Sequence, residues 1–189
     1  MRKVVVFDHV TLDGFFTDER GDMSFAHRKE AESDPEWRAF TEENASGDSE
    51  MLFGRVTYDM MAGWWPTPAA KQAMPLVAKR MNEAPKVVFS RKMEKAEWSN
   101  TRLVKRNLVE EVRRMKEQKG PDIVLMGSGT VVAQLTQAGA IDIYHIVVNP
   151  VVIGEGRTLF EGVTRKLPLQ LTATRAFKNG NVLLTYEPS

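Results

Sequence analysis

Three short segments of this chain combine glycine, hydroxyl and basic residues in the pattern of a turn that holds an anion. Met126-Gly127-Ser128-Gly129-Thr130 lies between an apolar run and a helix-like segment. A helix start offers free N–H groups and the positive end of the helix dipole, and glycine lets an anionic group approach the backbone. Gly54-Arg55-Val56-Thr57-Tyr58 repeats this arrangement after Met51–Phe53 and adds the forked guanidinium of Arg55 and the hydroxyl of Thr57. Ser90-Arg91-Lys92, after Val87–Phe89, supplies one hydroxyl and two cations, a set suited to a phosphate monoester. Taken singly, each segment also reads as a capped turn or as solvated basic residues. The chain lacks both the G-x-G-x-x-G fingerprint and the G-x-x-x-x-G-K-[ST] phosphate loop at these places, so neither of those standard sites follows.

Other reactive residue types add little. His9, His27 and His145 do not have the spacing of metal ligands, and no metal site is expected. His145 shares a strand face with Ile143 and Val147 and is expected to be buried and hydrogen-bonded. The chain has no cysteine, which excludes thiolate ligands, disulfides and a cysteine nucleophile and suits a reducing compartment. No nucleophile elbow or triad pattern is present.

The elements that must position the three segments can be read from periodicity. Val4–Phe7, Met51–Phe53, Val87–Phe89 and Ile123–Met126 are apolar without polar alternation, as strands covered on both faces require. Each leads into a helix-like stretch, which predicts βαβ units and a mainly parallel sheet. Asp34-Pro35 marks a helix start, and Asn107 caps a segment ending at Gly120-Pro121, with Leu108, Val109, Val112 and Met115 on one face. A further helix runs from near Gly129 to Gly139. Beyond Ile141 the pattern changes: Ile141–Val148, Leu167–Ala176 and Val182–Glu187 read as antiparallel strands, with a hairpin turn at Lys178-Asn179-Gly180-Asn181. The expected architecture is a single α/β domain over residues 1–189, a mostly parallel central sheet flanked by helices with antiparallel C-terminal strands. In open sheets of this kind ligands gather at the carboxyl ends of the strands, where all three segments fall.

A length of 189 residues suits one domain with a sizeable core. With 26 basic against 25 acidic residues the net charge is +1, too small for a general nucleic-acid-binding field, so any anion site must be local. The N-terminal apolar run meets Asp8 after Val4–Phe7, short of the roughly 7–15 residues of a secretory signal. No run approaches the ~20 apolar residues of a membrane span. The expectation is a soluble cytoplasmic protein with a small-molecule substrate and neither a nucleic acid nor a membrane as partner.

The order of the segments resembles the dihydrofolate reductase superfamily, in particular the branch containing the riboflavin-biosynthesis reductase domain. The resemblance rests on Thr11-Leu12-Asp13-Gly14, Leu52–Tyr58, Val88-Phe89-Ser90-Arg91, Val124–Gly129 and Gly154-Glu155-Gly156-Arg157-Thr158-Leu159-Phe160, which together cover nearly the whole chain. It implies an NADPH-dependent reductase, with Gly54, Arg55 and Thr57 near the phosphates, Ser90 and Arg91 at the 2′-phosphate, and Gly127, Ser128, Gly129 and Thr130 at the pyrophosphate. It places the nicotinamide beside Val10 and the loop to Phe25. Asp13 is the catalytic and substrate-facing candidate, its other reading being a turn aspartate. Trp64 and Trp65 either line the substrate pocket, Trp65 foremost, or pack the helix end. The branch implies a homodimer.

The reaction implied is hydride transfer to a pyrimidine, pteridine or related heterocycle. Two alternatives are reduction of the phosphoribosylamino-pyrimidine of riboflavin synthesis, with Arg157 or Arg165 holding the substrate phosphate, and a non-catalytic nucleotide-binding protein. Counting back from Gly54 to the place of the pterin-binding acid reaches Arg38, with Glu36, Glu42 and Glu43 nearby, which argues against dihydrofolate as substrate.

Overall fold

The apolar runs become the centre of an eight-stranded sheet. The computed structural model describes residues 1–28 and 34–189. In chain order the strands are β1 (Val4–Thr11), β2 (Phe15–Thr17), β3 (Ser49–Gly54), β4 (Lys86–Phe89), β5 (Thr101–Val104), β6 (Asp122–Leu125), β7 (Ile143–Asn149), β8 (Arg157–Thr158), β9 (Leu169–Ala176) and β10 (Val182–Pro188). The helices are α1 (Pro35–Ser46), α2 (Arg55–Trp64), α3 (Pro68–Ala73), α4 (Pro75–Glu83), α5 (Leu108–Glu117) and α6 (Gly129–Gln137), with a 3₁₀ turn at Ser24–His27. The spatial order is β5-β4-β3-β6-β1-β7-β10-β9, and β2 with β8 forms a separate two-stranded ribbon. Strands β5 through β7 are parallel, and β10 runs antiparallel to both β7 and β9.

Local chemistry sets the helix ends. Asp34 accepts a hydrogen bond from the Glu36 N–H with Pro35 in the first turn, and Asn107 accepts from Val109 and Glu110. Gly180, at φ +88°, closes the β9–β10 hairpin, where Asn-Gly tolerates the left-handed backbone.

Alternating strand residues build two packed layers. On one face Val4, Val6, Leu52, Val87, Ile123 and Leu125 pack against Val112 and Met115 of α5 and Val131, Val132 and Leu135 of α6. On the other, Met51, Phe53 and Val88 meet Tyr58 of α2 and Val77 and Met81 of α4. Next to them Phe7, Val147 and Leu183 meet Trp37 and Phe40 of α1. Covering both faces is what permits the unbroken apolar strands. Among the described residues no helix is long and apolar enough to cross a membrane, and no cluster of His, Cys, Asp or Glu could hold a metal ion.

Candidate active site

The three glycine- and hydroxyl-bearing segments follow β4, β3 and β6, which are consecutive in the sheet and parallel, so their turns line one edge. Two of the turns interlock. The Gly54 N–H donates to the Gly127 carbonyl at 3.2 Å, and a Cβ at Gly54 would collide with the Ser128 side chain. Gly127, at φ +61°, faces Thr57 and Phe16: a Cβ there would lie 2.8 Å from Thr57 Oγ1 and 3.3 Å from the Phe16 ring. The Gly127–Ser128 peptide is cis. Ser128 stands at the N-cap of α6 without capping it, its hydroxyl lying 3.3 Å from that of Thr130. Helix α2 also has no side-chain cap. In α6 the Val131 and Val132 N–H groups donate to the Ser128 carbonyl, and no side chain caps the first N–H groups of either helix, which leaves those of Gly129 and Thr130 directed at an external acceptor.

The hydroxyl of buried Thr57 has no hydrogen-bond partner among the described residues. Arg55 forms an exposed pair with Asp59 at 2.9 Å, one turn along α2. Ser90 Oγ accepts from the N–H groups of Lys92 and Met93, closing its own turn and leaving its proton free to donate. The side chains of Arg91 and Lys92 are exposed and unpaired among the described residues.

Strand β1 lies beside β6 and reaches the same edge. Val10 is half-buried, and its carbonyl accepts from Asn149 Nδ2 at 3.0 Å. Asp13 is exposed, and its carboxylate accepts from the N–H groups of Ile153 (3.1 Å) and Gly154 (2.8 Å), tethering the β1–β2 turn to the loop before β8. The Thr11 hydroxyl and these amides hold its carboxyl below the usual range. Trp65 packs at the far end of α2, its indole N–H 3.1 Å from Met61 Sδ and its carbonyl accepting from Asn82, which is the helix-end arrangement. Trp64 is exposed. Arg165 packs on Gly139 beyond the end of α6, whereas Arg157 lies on the β2–β8 ribbon.

Two further groups of β1 belong to this edge. Asp8 is 5% exposed, beside Gly127, and its Oδ2 has no hydrogen-bond partner among the described residues. Burial pushes its carboxyl well above the usual carboxylate range against the opposing effect of the Gly127 N–H. On the opposite face His9 lies 3.3 Å from Asn149 Nδ2. Burial, reinforced by the charge of His27, lowers its pKa to about 4.

The family model described as the RibD C-terminal domain matches residues 2–183. This chain belongs to that family. Among curated proteins, the chain is similar to the uncharacterized protein YyaP of Bacillus subtilis, 28% identical over 185 residues, covering 98% of this chain and 94% of the relative. Among solved structures it is similar to a putative riboflavin biosynthesis protein from Shewanella sp. PV-4, with a TM-score of 0.73, 22% identity and 99% of each chain covered. It also matches the Thermotoga maritima diaminohydroxyphosphoribosylaminopyrimidine deaminase/5-amino-6-(5-phosphoribosylamino)uracil reductase, with a TM-score of 0.68 and 16% identity over 100% of this chain and 57% of that one. Dihydrofolate reductase from Enterococcus faecalis, solved with NADP(H), gives a TM-score of 0.64 at 16% identity over 99% and 96%. The fold of this RibD C-terminal domain protein is therefore dihydrofolate reductase-like, as its motif order implies.

In this RibD-type chain, the motifs pass over Asp8, Phe16 and Asn149, and His9 is weighed only as a metal ligand. Asp8 carries a signal all the same. It interrupts a run whose pattern demands cover on both faces, and a carboxyl there must be paired or neutral. Asn149 shows itself only through the β1–β7 register, which sets it opposite Thr11. His145, half-buried with Nδ1 3.0 Å from Thr185 Oγ1, has the hydrogen-bonded place its pattern predicts.

Proposed function

We propose that this RibD C-terminal domain protein is an NADPH-dependent reductase that transfers hydride to a pyrimidine, pteridine or related heterocycle. The observation that carries the reading is the interlocked Gly54 and Gly127 turns, which open two helices without side-chain caps on adjacent parallel strands. These residues suit a dinucleotide. Among the described residues Thr57 keeps a free hydroxyl at the turn, Arg91 and Lys92 are unpaired beside the next strand, and burial of Asp8 disfavours its charged form, which lessens repulsion of an anion. Gly127, Ser128, Gly129, Thr130 and the start of α2 would hold the pyrophosphate, and Ser90 with Arg91 the 2′-phosphate. NADPH supplies the hydride; the chain binds, orients and shields. The names of the structural neighbours, a uracil reductase and a dihydrofolate reductase, support the same reaction class.

The test is calorimetric titration with NADPH and NADH, followed by NADPH oxidation in the presence of a panel of pterins and pyrimidines. NADPH is expected to bind at least tenfold more tightly. A charge-assisted contact contributes about 1.5–3 kcal/mol, so Arg91→Ala should weaken NADPH roughly ten- to a hundredfold and leave NADH unchanged. Equal affinities for both nucleotides would overturn the cofactor assignment, and tight binding without turnover of any panel member would favour a nucleotide-binding protein. Arg157 supports the riboflavin-type substrate as a second reading, because it lies exposed, and unpaired among the described residues, on the ribbon whose Thr158 carbonyl approaches Gly129. A preference for the phosphoribosylamino-pyrimidine over its dephosphorylated form, lost in Arg157→Ala, would establish it.

A further inference from the structure

His9 is held in one protonation state and one orientation at the carboxyl edge of the sheet. Asn149 is fully buried, and one atom of its side-chain amide lies 3.0 Å from the Val10 carbonyl and 3.2 Å from the Val147 carbonyl. Carbonyl oxygens only accept, so that atom is the nitrogen and it donates. Its two hydrogens are directed to those carbonyls, and the same nitrogen lies 3.3 Å from His9 Nδ1; an amide nitrogen does not accept, so an Nδ1–H would face a group that only donates, which favours the lone pair on Nδ1. The imidazole proton is thereby placed on Nε2. A charged ring would set N–H against N–H, and the lowered pKa of about 4 accords with the neutral form.

The ring is also fixed in space. It meets Phe7 edge-on at 5.8 Å and Trp37 of α1 edge-on at 5.9 Å, with the His27 ring 6.5 Å away. Val6 lies opposite Leu125, so β1 runs level with β6 and its next residues reach the height of the Gly127 turn, Asp8 on the face of that turn and His9 on the face of α1. His9 is half-buried, and its Nε2 has no hydrogen-bond partner among the described residues. A neutral, oriented N–H donor with nothing to donate to, walled by a tryptophan and level with the glycine turn, is a group built to receive an acceptor.

We propose that His9 is a substrate-binding residue whose Nε2–H donates to a ring carbonyl oxygen of the heterocycle, held between β1 and α1 against Trp37. This inference rests on the reductase reading above and names the group that selects its substrate. His9 orients the ring and draws electron density towards the carbonyl oxygen. It does not deliver the proton, because a neutral imidazole N–H is far too weak an acid for that.

Two measurements test it. Long-range ¹H–¹⁵N correlation of the wild-type histidines at pH 7 is expected to show His9 neutral and protonated on Nε2. A signal from the Nδ1–H tautomer or from imidazolium overturns the proposal without any mutation. The second is fluorescence titration of the NADPH-saturated protein with lumazine, a pteridine that carries two ring carbonyls. His9→Phe keeps the ring and removes the donor, and should weaken lumazine at least tenfold while NADPH affinity stays within threefold; His9→Gln, which restores an N–H, should recover part of the loss. Unchanged lumazine affinity in His9→Phe, or a wild type that binds NADPH but not lumazine, overturns the assignment. Failure of the wild type to bind NADPH strikes instead at the reductase reading.

Discussion

Gly54, Gly127 and Gly129 meet at one place, yet only two of them are demanded by the fold. Gly54 has no room for a Cβ beside Ser128, and Gly127 combines a left-handed φ with contact to Thr57. A Cβ at Gly129 would rest 3.5 Å from the Phe16 ring, an ordinary contact, at a helical backbone. Gly129→Ala should therefore fold with a stability within about 1 kcal/mol of the wild type and yet bind NADPH at least tenfold more weakly, because the methyl group occupies the ligand's approach. Unaltered affinity in that folded variant would leave the glycine without a binding role. Asp8 makes a separate prediction through pH. Its carboxyl pKa is raised by burial, so above the ordinary carboxylate range the native state retains a proton that the unfolded chain has lost. Stability must fall as pH rises through that interval, by up to about 1.4 kcal/mol per unit, until the native carboxyl itself ionises. Asp8→Asn, which has no charge to bury, should lose this dependence. The gap in urea unfolding free energy between variant and wild type should widen from pH 5 to pH 7, and parallel profiles would show that Asp8 is ionised in the folded protein.

At the scale of elements, the β2–β8 ribbon governs what reaches the glycine turn. Phe16 of β2 is 8% exposed and covers Gly127 and Gly129, while the Asp13 carboxylate ties the β1–β2 turn to Ile153 and Gly154. Gly156, just before β8, lies so close to the Thr17 carbonyl that a Cβ would collide with it. Gly156→Ala should part the ribbon and leave the main sheet intact, so amide exchange should accelerate at residues 15–17 and 157–158 while that of β1, β3 and β6 stays slow. Acceleration spread over the whole sheet would show that the ribbon is integral to the core. None of this was legible in the sequence. Phe15–Thr17 and Arg157–Thr158 are too short for any periodicity, and β5, Thr101–Val104, is equally short. The parallel strands were legible because burial on both faces writes an unbroken apolar run, and α1, α5 and α6 because their ends carry Asp34, Asn107 and Gly139. The three phosphate-type turns could be found one at a time, but their adjacency comes from the strand order β4-β3-β6, which no local pattern encodes. Trp65 shows the limit of composition: lining a pocket and packing a helix end ask for the same ring, and only its contacts with Met61 and Asn82 tell the two apart.

The whole molecule divides its labour between the two edges of the sheet. At the amino edge the polar groups are paired. Arg2, 7% exposed, bonds Glu50 at 2.6 Å and also donates to the Pro121 carbonyl. Lys116 pairs with Asp142 at 2.7 Å, Asp142 accepts from the Val4 N–H, and Lys86 donates to the Ala84 carbonyl at 2.6 Å. At the carboxyl edge the glycine turns, the uncapped helix starts and the unpaired Thr57, Arg91 and His9 Nε2 accumulate groups that await partners. Stability and binding should therefore respond to different mutations. Arg2→Ala leaves Glu50 part-buried without its cation, and removing one member of such a pair costs about 3 kcal/mol. The variant should show that loss in urea unfolding and still bind NADPH within twofold of the wild type under native conditions. Thr57→Val, equal in shape but without the hydroxyl, should reverse the pattern, with unfolding free energy changed by about 1 kcal/mol or less, since the hydroxyl makes no hydrogen bond to the described residues, and NADPH weakened roughly tenfold. If Arg2→Ala weakened NADPH as much as Thr57→Val while remaining folded, the two edges would be coupled through β1 and β3, and the separation argued from the pairing pattern would fail.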